Sequence, residues 1–269
     1  MEFAINYVNN DFNTKYTFDE DIYLKYPGFN PSIDEFRNMP KLKNKILLHG
    51  IIPSSGSIFD EHLCDNMDEW IEVFKNNNDK WVSLHFYYED NFCSIDKVED
   101  VCKSNIEKIR EKLPNIPIIV ENVPYQYKNY NWCFDPDVIT YYCNKYDLGL
   151  LLDIPHLVIY TRNNKLDMDT YLNKLPLNRI YEIHISGYYM ETNGDLIDAH
   201  LECFDRIYKL YENILRQTNN VKMTSLEYPV YNTDSVIINY LDNITDEKIY
   251  KLQIEQLNKL KEIYERTIK

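Results

Sequence analysis

Eight short runs of β-branched and apolar residues recur along this chain, most of them separated by longer segments in which apolar residues return at i, i+3 and i+4. Short apolar runs mark strands and a period near 3.6 marks amphipathic helices, so the alternation reads as a series of βα units. The strand runs are Phe3–Tyr7, Ile22–Lys25, Ile46–His49, Val82–Phe86, Ile118–Val123, Gly149–Asp153, Ile180–Ile185 and Met223–Glu227. The helical segments are clearest at Asp60–Lys75, Lys97–Leu113, Asp135–Tyr146, Leu201–Arg216 and Asp246–Arg266. Trp70, Ile71 and Phe74, or Ile106, Ile109 and Leu113, supply their apolar faces. Asn9–Asp19 is short and polar, so the helix of the first unit is weakly written. The pattern predicts an α/β fold, a single (β/α)₈ barrel. No repeat, Gly-Ser linker or low-complexity tract divides the chain, and residues 1–269 are expected to form one barrel domain with a C-terminal helix.

Composition removes several classes of function. Lys and Arg number 29 against 43 Asp and Glu, a net charge of −14 that opposes the counterion release on which nucleic-acid binding depends. Nucleic acid and anionic membranes are therefore not expected partners. With only 6 Gly and no G-x-G or Walker pattern, a backbone cradle for nucleotide phosphates is nearly ruled out. Cys64, Cys93, Cys102, Cys133, Cys143 and Cys203 form no C-x-x-C pair, so they read as reduced, packed thiols. The N-terminal segment lacks a basic region followed by a signal-type apolar run. The longest apolar stretch, Leu148 to Tyr160, is broken by Asp153, Pro155 and His156. A cytoplasmic location is expected.

The chemistry lies at the C-terminal ends of the strands, which converge on one mouth in a barrel of this type. Strand three ends in His49, strand four carries His85, strand five Glu121, strand six Asp153 followed by His156, strand seven His184 and strand eight Glu227. The loop after strand seven adds Asp198 and His200. Five of the 6 His fall in this set, and only His62, in a predicted helix, lies outside it. Any one of these residues taken alone is best explained as a hydrogen-bonded core histidine or a helix-capping aspartate. Collectively, four carboxylates and five imidazoles in one mouth would be costly without compensating cations, which divalent metals supply. Nine N and O donors exceed the capacity of one ion and suit two or three.

Two other chemistries compete. A hydrolytic triad has nucleophile candidates in Ser55, Ser83 and Ser186 but lacks a G-x-S-x-G elbow. A retaining glycosidase built on Glu121 and Glu227 leaves the five histidines unexplained. Glu182 stands two residues before His184 and faces the same side of its strand, where it either orients a ligand or pairs with a Lys or Arg in the barrel. Tyr7, Tyr125, Tyr188 and Tyr228, beside or after strand ends, are candidates for stacking on a substrate.

The ligand order His49, His85, Glu121, Asp153, His156, His184, Asp198, His200, Glu227 resembles the three-metal set of endonuclease IV-type abasic-site nucleases, a xylose-isomerase-like barrel family. The surrounding words are more similar to the multinuclear non-heme iron-dependent oxidases that modify ribosomally made peptides. They are His49-Gly50, Val82-Ser83-Leu84-His85, Val120-Glu121-Asn122, Leu151-Leu152-Asp153, Glu182-Ile183-His184-Ile185-Ser186-Gly187 and Ile197-Asp198-Ala199-His200. The resemblance implies a two- or three-iron centre, with Zn or Mn as alternatives that the same donors suit, oxidising a peptide or small thiol substrate with O₂. It admits a peptide-recognition partner protein. Glu121 would bridge two ions, with His49 and His85 completing the first and Asp153, His184 and Glu227 the second; His156, Asp198 and His200 would hold the third. Glu121, His156 and Asp198 are the residues it places in catalysis. Where those oxidases commonly have Asp followed by an Asn pair, this chain has Asp153-Ile154-Pro155-His156, which puts a nuclease-like imidazole at the third ion. The nuclease, and a sugar isomerase or epimerase that needs fewer ligands, are the alternatives.

Overall fold

The computed structural model describes residues 1–27, 41–49, 56–65, 67–77, 80–124, 131–229 and 244–268. Eight parallel strands form one sheet: β1 (Glu2–Asn6), β2 (Ile22–Pro27), β3 (Ile46–His49), β4 (Val82–Phe86), β5 (Ile118–Asn122), β6 (Gly149–Asp153), β7 (Ile180–Ile185) and, last in the chain, β10 (Met223–Leu226). Their hydrogen-bonded order is β3-β2-β1-β10-β7-β6-β5-β4. The sheet curls into a nearly closed barrel whose ends, β3 and β4, meet at a seam. At the mouth of that seam His85 N donates to Gly56 O at 2.8 Å and Ile58 N to His85 O at 3.1 Å. All eight expected strands are present, with ends displaced by at most two residues.

Helices clad the barrel: α1 (Asn10–Lys15), α2 (Met67–Asn77), α3 (Val98–Lys112), α4 (Pro136–Lys145), α5 (Ile154–Asn163), α6 (Met168–Lys174), α7 (Asp205–Gln217) and α8 (Asp246–Ile268). Their caps are local: Asp135 accepts from Asp137 N ahead of Pro136, and Asn9 accepts from Phe12 N. Two expected starts are corrected. Residues 61–65 are turns, because the Asp60 carboxylate takes His62 N at 2.9 Å and competes with helix nucleation, so His62 is an exposed turn residue rather than a helical one. Leu201 ends a strand, and α7 begins four residues later.

Helices α5 and α6 and a hairpin escaped the periodicity. Residues 154 to 161 of α5 are all buried, so the helix has no polar face to reveal its period. Strands β8 (Gly187–Met190) and β9 (Leu196–Leu201) form an antiparallel hairpin over the mouth, where a loop was expected.

A small apolar cluster of Ala4, Tyr23, Leu47, Trp81, Ile119, Leu151 and Met223 plugs the barrel interior, while the main core lies between sheet and helices. Helix α8 ties down the strand ends: Gln253 Nε2 donates to Tyr228 O at 2.8 Å, and Gln256 Oε1 accepts from Cys203 N at 2.7 Å. All six cysteines are free, and burial pushes the Cys64 thiol up to about 11 and Cys133 to about 12, so neither is primed as a nucleophile. No helix among the described residues is long and apolar enough to cross a membrane.

Candidate metal centre

Because strand side chains alternate, residues two apart share the barrel interior, and a ladder of inward positions rises through each strand. The apolar plug lies lowest. Lys25, Ser83, Glu182 and Ser225 form a polar tier above it, and His49, His85, Glu121, Asp153, His184 and Glu227 form the tier at the mouth. Register places His85 beside Glu121 and Asp153 beside His184.

The first expected set comes together: His49, His85 and Glu121 offer ligand atoms within 4.8 Å of one another, with His49 Nε2 3.1 Å from Glu121 Oε2. In the second, His184 Nδ1 lies among three carboxylates, 3.2 Å from Glu227 Oε1, 3.5 Å from Glu121 Oε1 and 3.6 Å from Asp153 Oδ2. In the third, Asp198 Oδ2 is 3.1 Å from His156 Nε2 and 2.9 Å from His200 Nε2. The sets interlock more than the sequence reading allowed, since His49 also groups with His184 and Glu227, and His156 with Glu121 and Asp153. Asp198 and His200 come from β9 of the hairpin, not from a loop. A bulge in that strand holds His200 at φ 45°, a strained left-handed conformation that turns its ring toward the centre.

Metal fits this donor set. Among the buried side-chain atoms without a hydrogen-bond partner are Glu121 Oε2, Asp153 Oδ2, His184 Nδ1 and Asp198 Oδ1, all on expected ligands. Buried acceptors are rarely left unpaired, and four in one mouth mark positions for cations. One nitrogen of each of three imidazoles is also held by the protein. His49 Nδ1 pairs with Ser83 Oγ at 3.1 Å, His156 Nδ1 with Asn122 O at 2.8 Å and His200 Nδ1 with Glu227 O at 3.2 Å.

Burial and close opposite charges shift the ionisable groups of the centre. Burial alone would raise the Glu227 carboxyl, but His184, Lys25 and His200 bring it down to about 2. Burial works against the His200 proton, yet Asp198 beside it lifts the imidazole to about 9. His156 and His184 are raised against burial by the carboxylates around them, whereas burial, reinforced by Lys25, depresses His49. Glu121 is drawn well down against burial by His184 and His49, and burial leaves Asp153 raised.

Two residues not singled out from sequence complete the site. Lys25 is buried on β2 with Nζ 2.7 Å from Glu182 Oε1 and 3.8 Å from Glu227 Oε1. Its only sequence signal was a lysine at an inward strand position. Asn122 Oδ1 accepts from Asp153 N at 2.9 Å and its Nδ2 donates to Asp153 O at 3.0 Å. The two alternatives for Glu182 hold together, since it pairs with Lys25 and also contacts His184 Nε2 at 3.2 Å. Ser83 and Ser186 are buried, Ser83 against His49. Tyr228 is fully buried and has no face for a substrate, a correction to its expected stacking role. Tyr7 packs on Tyr26 at 4.8 Å and Tyr188 on Phe204 at 4.9 Å. Ser55 and Tyr125 lie outside the described residues.

Known proteins resemble the chain at two levels. In backbone it is similar to a D-psicose 3-epimerase (TM-score 0.64, 14% identity, 98% of this chain and 99% of that one). It is also similar to a xylose isomerase domain protein from Salmonella typhimurium (TM-score 0.63, 11% identity, 96% and 97%). At these identities the likeness shows the fold, a xylose-isomerase-like barrel. In sequence it is 26% identical to a UPF0276 protein of Shewanella loihica over 208 residues, 72% of each chain. A UPF0276 protein of Acaryochloris marina is 29% identical over 165 residues, 58% of this chain and 59% of the relative. A family profile described as "RiPP precursor modification enzyme MbnB/TglH/ChrH" matches residues 32–232, a span that contains every one of the nine converging donors. On the strength of that match the chain belongs to the MbnB/TglH/ChrH family of RiPP precursor modification enzymes.

Proposed function

We propose that this protein is an oxidase with two or three iron ions at the barrel mouth, acting with O₂ on a peptide or small thiol substrate. The observation that carries the metal is the set of four buried ligand-type atoms left without hydrogen bonds on Glu121, Asp153, His184 and Asp198. Family membership supports a peptide substrate, and a donor set of imidazoles and carboxylates without thiolate suits iron. When bound, ferrous ions with open coordination positions supply the one-electron chemistry by which O₂ oxidises a thiol and its neighbouring carbon.

The protein's own residues set the charge. Lys25 offsets Glu182, which leaves the carboxylates of Glu121, Asp153, Asp198 and Glu227 to be balanced. Two divalent ions would balance them, and a third would make the centre cationic, which favours an anionic thiolate. Asn122, Ser83 and the Glu227 carbonyl keep the imidazoles aimed while substrate enters. Glu121 would bridge two ions, and His156 and Asp198 would help to hold a third; these three residues are the ones this reading places in catalysis. A peptide-recognition partner protein belongs to this reading, as does a cytoplasmic location, in keeping with the six free thiols. Neither nucleic acid nor a membrane surface has a place in it.

A second reading, phosphodiester hydrolysis, draws on the contact of His156 Nε2 with Asp198, which supplies a nuclease-like third site. One experiment separates the two. Protein purified without oxygen is analysed for metals, then offered cysteine-containing peptides with O₂ and, separately, abasic-site DNA. Two or three irons per chain, O₂ uptake and a changed peptide mass with intact DNA are expected. Stoichiometric zinc with efficient nicking of the DNA would replace the oxidase with the nuclease.

A further inference from the structure

The polar tier beneath the ligands contains a carboxylate satisfied on both oxygens. Glu182 Oε1 receives Lys25 Nζ at 2.7 Å and Ser225 Oγ at 2.5 Å and lies 3.2 Å from His184 Nε2, and Oε2 receives Trp81 Nε1 at 2.8 Å. Lys25 also contacts His184 Nε2. Every member of the group is buried: Lys25 and Glu182 are 1% exposed, Ser225 and His184 0%, Trp81 3%. Burying an ammonium and a carboxylate carries a large desolvation cost, and apolar residues of similar volume would fill a barrel interior at least as well. The pair therefore needs an explanation beyond packing.

His184 provides it. His49, His156 and His200 give Nδ1 to the protein and turn Nε2 toward a neighbouring ligand carboxylate. His184 is reversed: Nε2 points down to Glu182, and Nδ1 faces Glu227, Glu121 and Asp153 without a hydrogen bond. A neutral imidazole offers a metal only the nitrogen that lacks a proton, so whatever accepts a hydrogen bond from one nitrogen dictates which other one ligates. We propose that Glu182, its oxygens locked by Trp81 and Ser225 and its charge balanced by Lys25, is a positioning residue that accepts the His184 proton at Nε2 and so presents Nδ1 to a metal ion. This rests on the metal-centre reading above. Trp81, which also belongs to the apolar plug, extends the support from the ligand down to the barrel floor.

The test uses the full chain loaded with Zn²⁺, a diamagnetic stand-in for iron, with ¹⁵N-labelled histidine. Long-range ¹H–¹⁵N correlation spectra identify the protonated nitrogen of each ring, and a chelator competition gives the affinity of each ion. In the unaltered protein His184 should show a metal-bound Nδ1 and a slowly exchanging Nε2–H. Glu182→Gln should weaken the ion at His184 by about 10- to 100-fold and speed Nε2–H exchange, while the ion at Asp198 and His200 stays. Glu182→Gln leaves Lys25 without its counter-charge, so the double variant Lys25→Met/Glu182→Gln separates folding from positioning. It should recover thermal stability but not the His184 spectrum or the lost affinity. His184 coordinating through Nε2, or variants with unaltered affinity and exchange, would overturn the proposal while leaving the metal centre intact. Failure of the unaltered protein to bind zinc would overturn both.

Discussion

Asp153 divides its two oxygens between His156 and the centre. Oδ1 accepts the His156 backbone N–H at 2.6 Å and caps α5, while Oδ2 stays without a hydrogen bond 3.6 Å from His184 Nδ1. The D-x-x-H spacing is thus a helix cap and a ligand pair at once. Asp153→Asn should preserve the cap but abolish the anionic donor, so metal is lost while the metal-free protein melts near its original temperature. Asp153→Ala should lose metal and also about 1 kcal/mol of stability. Thermal unfolding of both metal-free variants checks this, and equal melting temperatures would refute the division of labour.

Glu121 lies within reach of His49, His85, His156 and His184, and the hairpin pair reaches the rest of the centre through His156 and Glu227. Asp198→Ala combined with His200→Ala should therefore remove one ion and spare the others. Glu121→Ala should empty more of the centre, because it takes a donor from two ions and leaves their repulsion less compensated. Metal analysis of the purified variants decides the matter, with equal losses counting against Glu121 as the bridge.

The His200 imidazole, pushed up to about 9 from an ordinary 6.5, ties pH to both stability and metal. Its raised value means that the native metal-free protein holds a proton that the unfolded chain releases above pH 6.5. The resulting stabilisation is complete below 6.5 and fades as pH rises through 9. Metal binding runs the other way, because an ion must displace that proton, so affinity at the Asp198 and His200 site should climb between pH 6.5 and 9. Calorimetric titrations in buffers of different ionisation enthalpy should register release of about one proton or more per ion at pH 7.5. A pH-independent affinity across this window would contradict the assignment.

Gly187 sits where β8 passes the end of β9. A Cβ there would lie 2.2 Å from Glu202 O and 2.9 Å from Glu202 C. Gly187→Ala must push the hairpin strands apart, at a cost of about 1–3 kcal/mol, and carry Asp198 and His200 with them. The ion at those residues should be lost selectively, with faster amide exchange confined to 187–201. Retention of all ions would mean that the hairpin can shift without moving its ligands.

Much of this protein was legible in its sequence because apolar runs mark its strands and a helical period marks its helices. Short β-branched and apolar runs revealed the eight strands, and parallel strands with helices between them have few ways to close. Strand ends in such a barrel share one mouth, so His49, His85, Glu121, Asp153, His184 and Glu227 could be brought together from position alone. Periodicity was silent wherever burial was uniform or the chain departed from regular geometry. Helix α5, buried on all sides from Ile154 to Thr161, carries no amphipathic signature, and the bulged β9 hides how Asp198 and His200 turn inward. The pairing of Lys25 with Glu182 lies furthest from sequence. These residues are 157 positions apart, and only closure of the barrel brings one tier of β2 against the same tier of β7. Long-range partners inside a closed sheet are set by register and shear, which are properties of the assembled barrel rather than of any local stretch of chain.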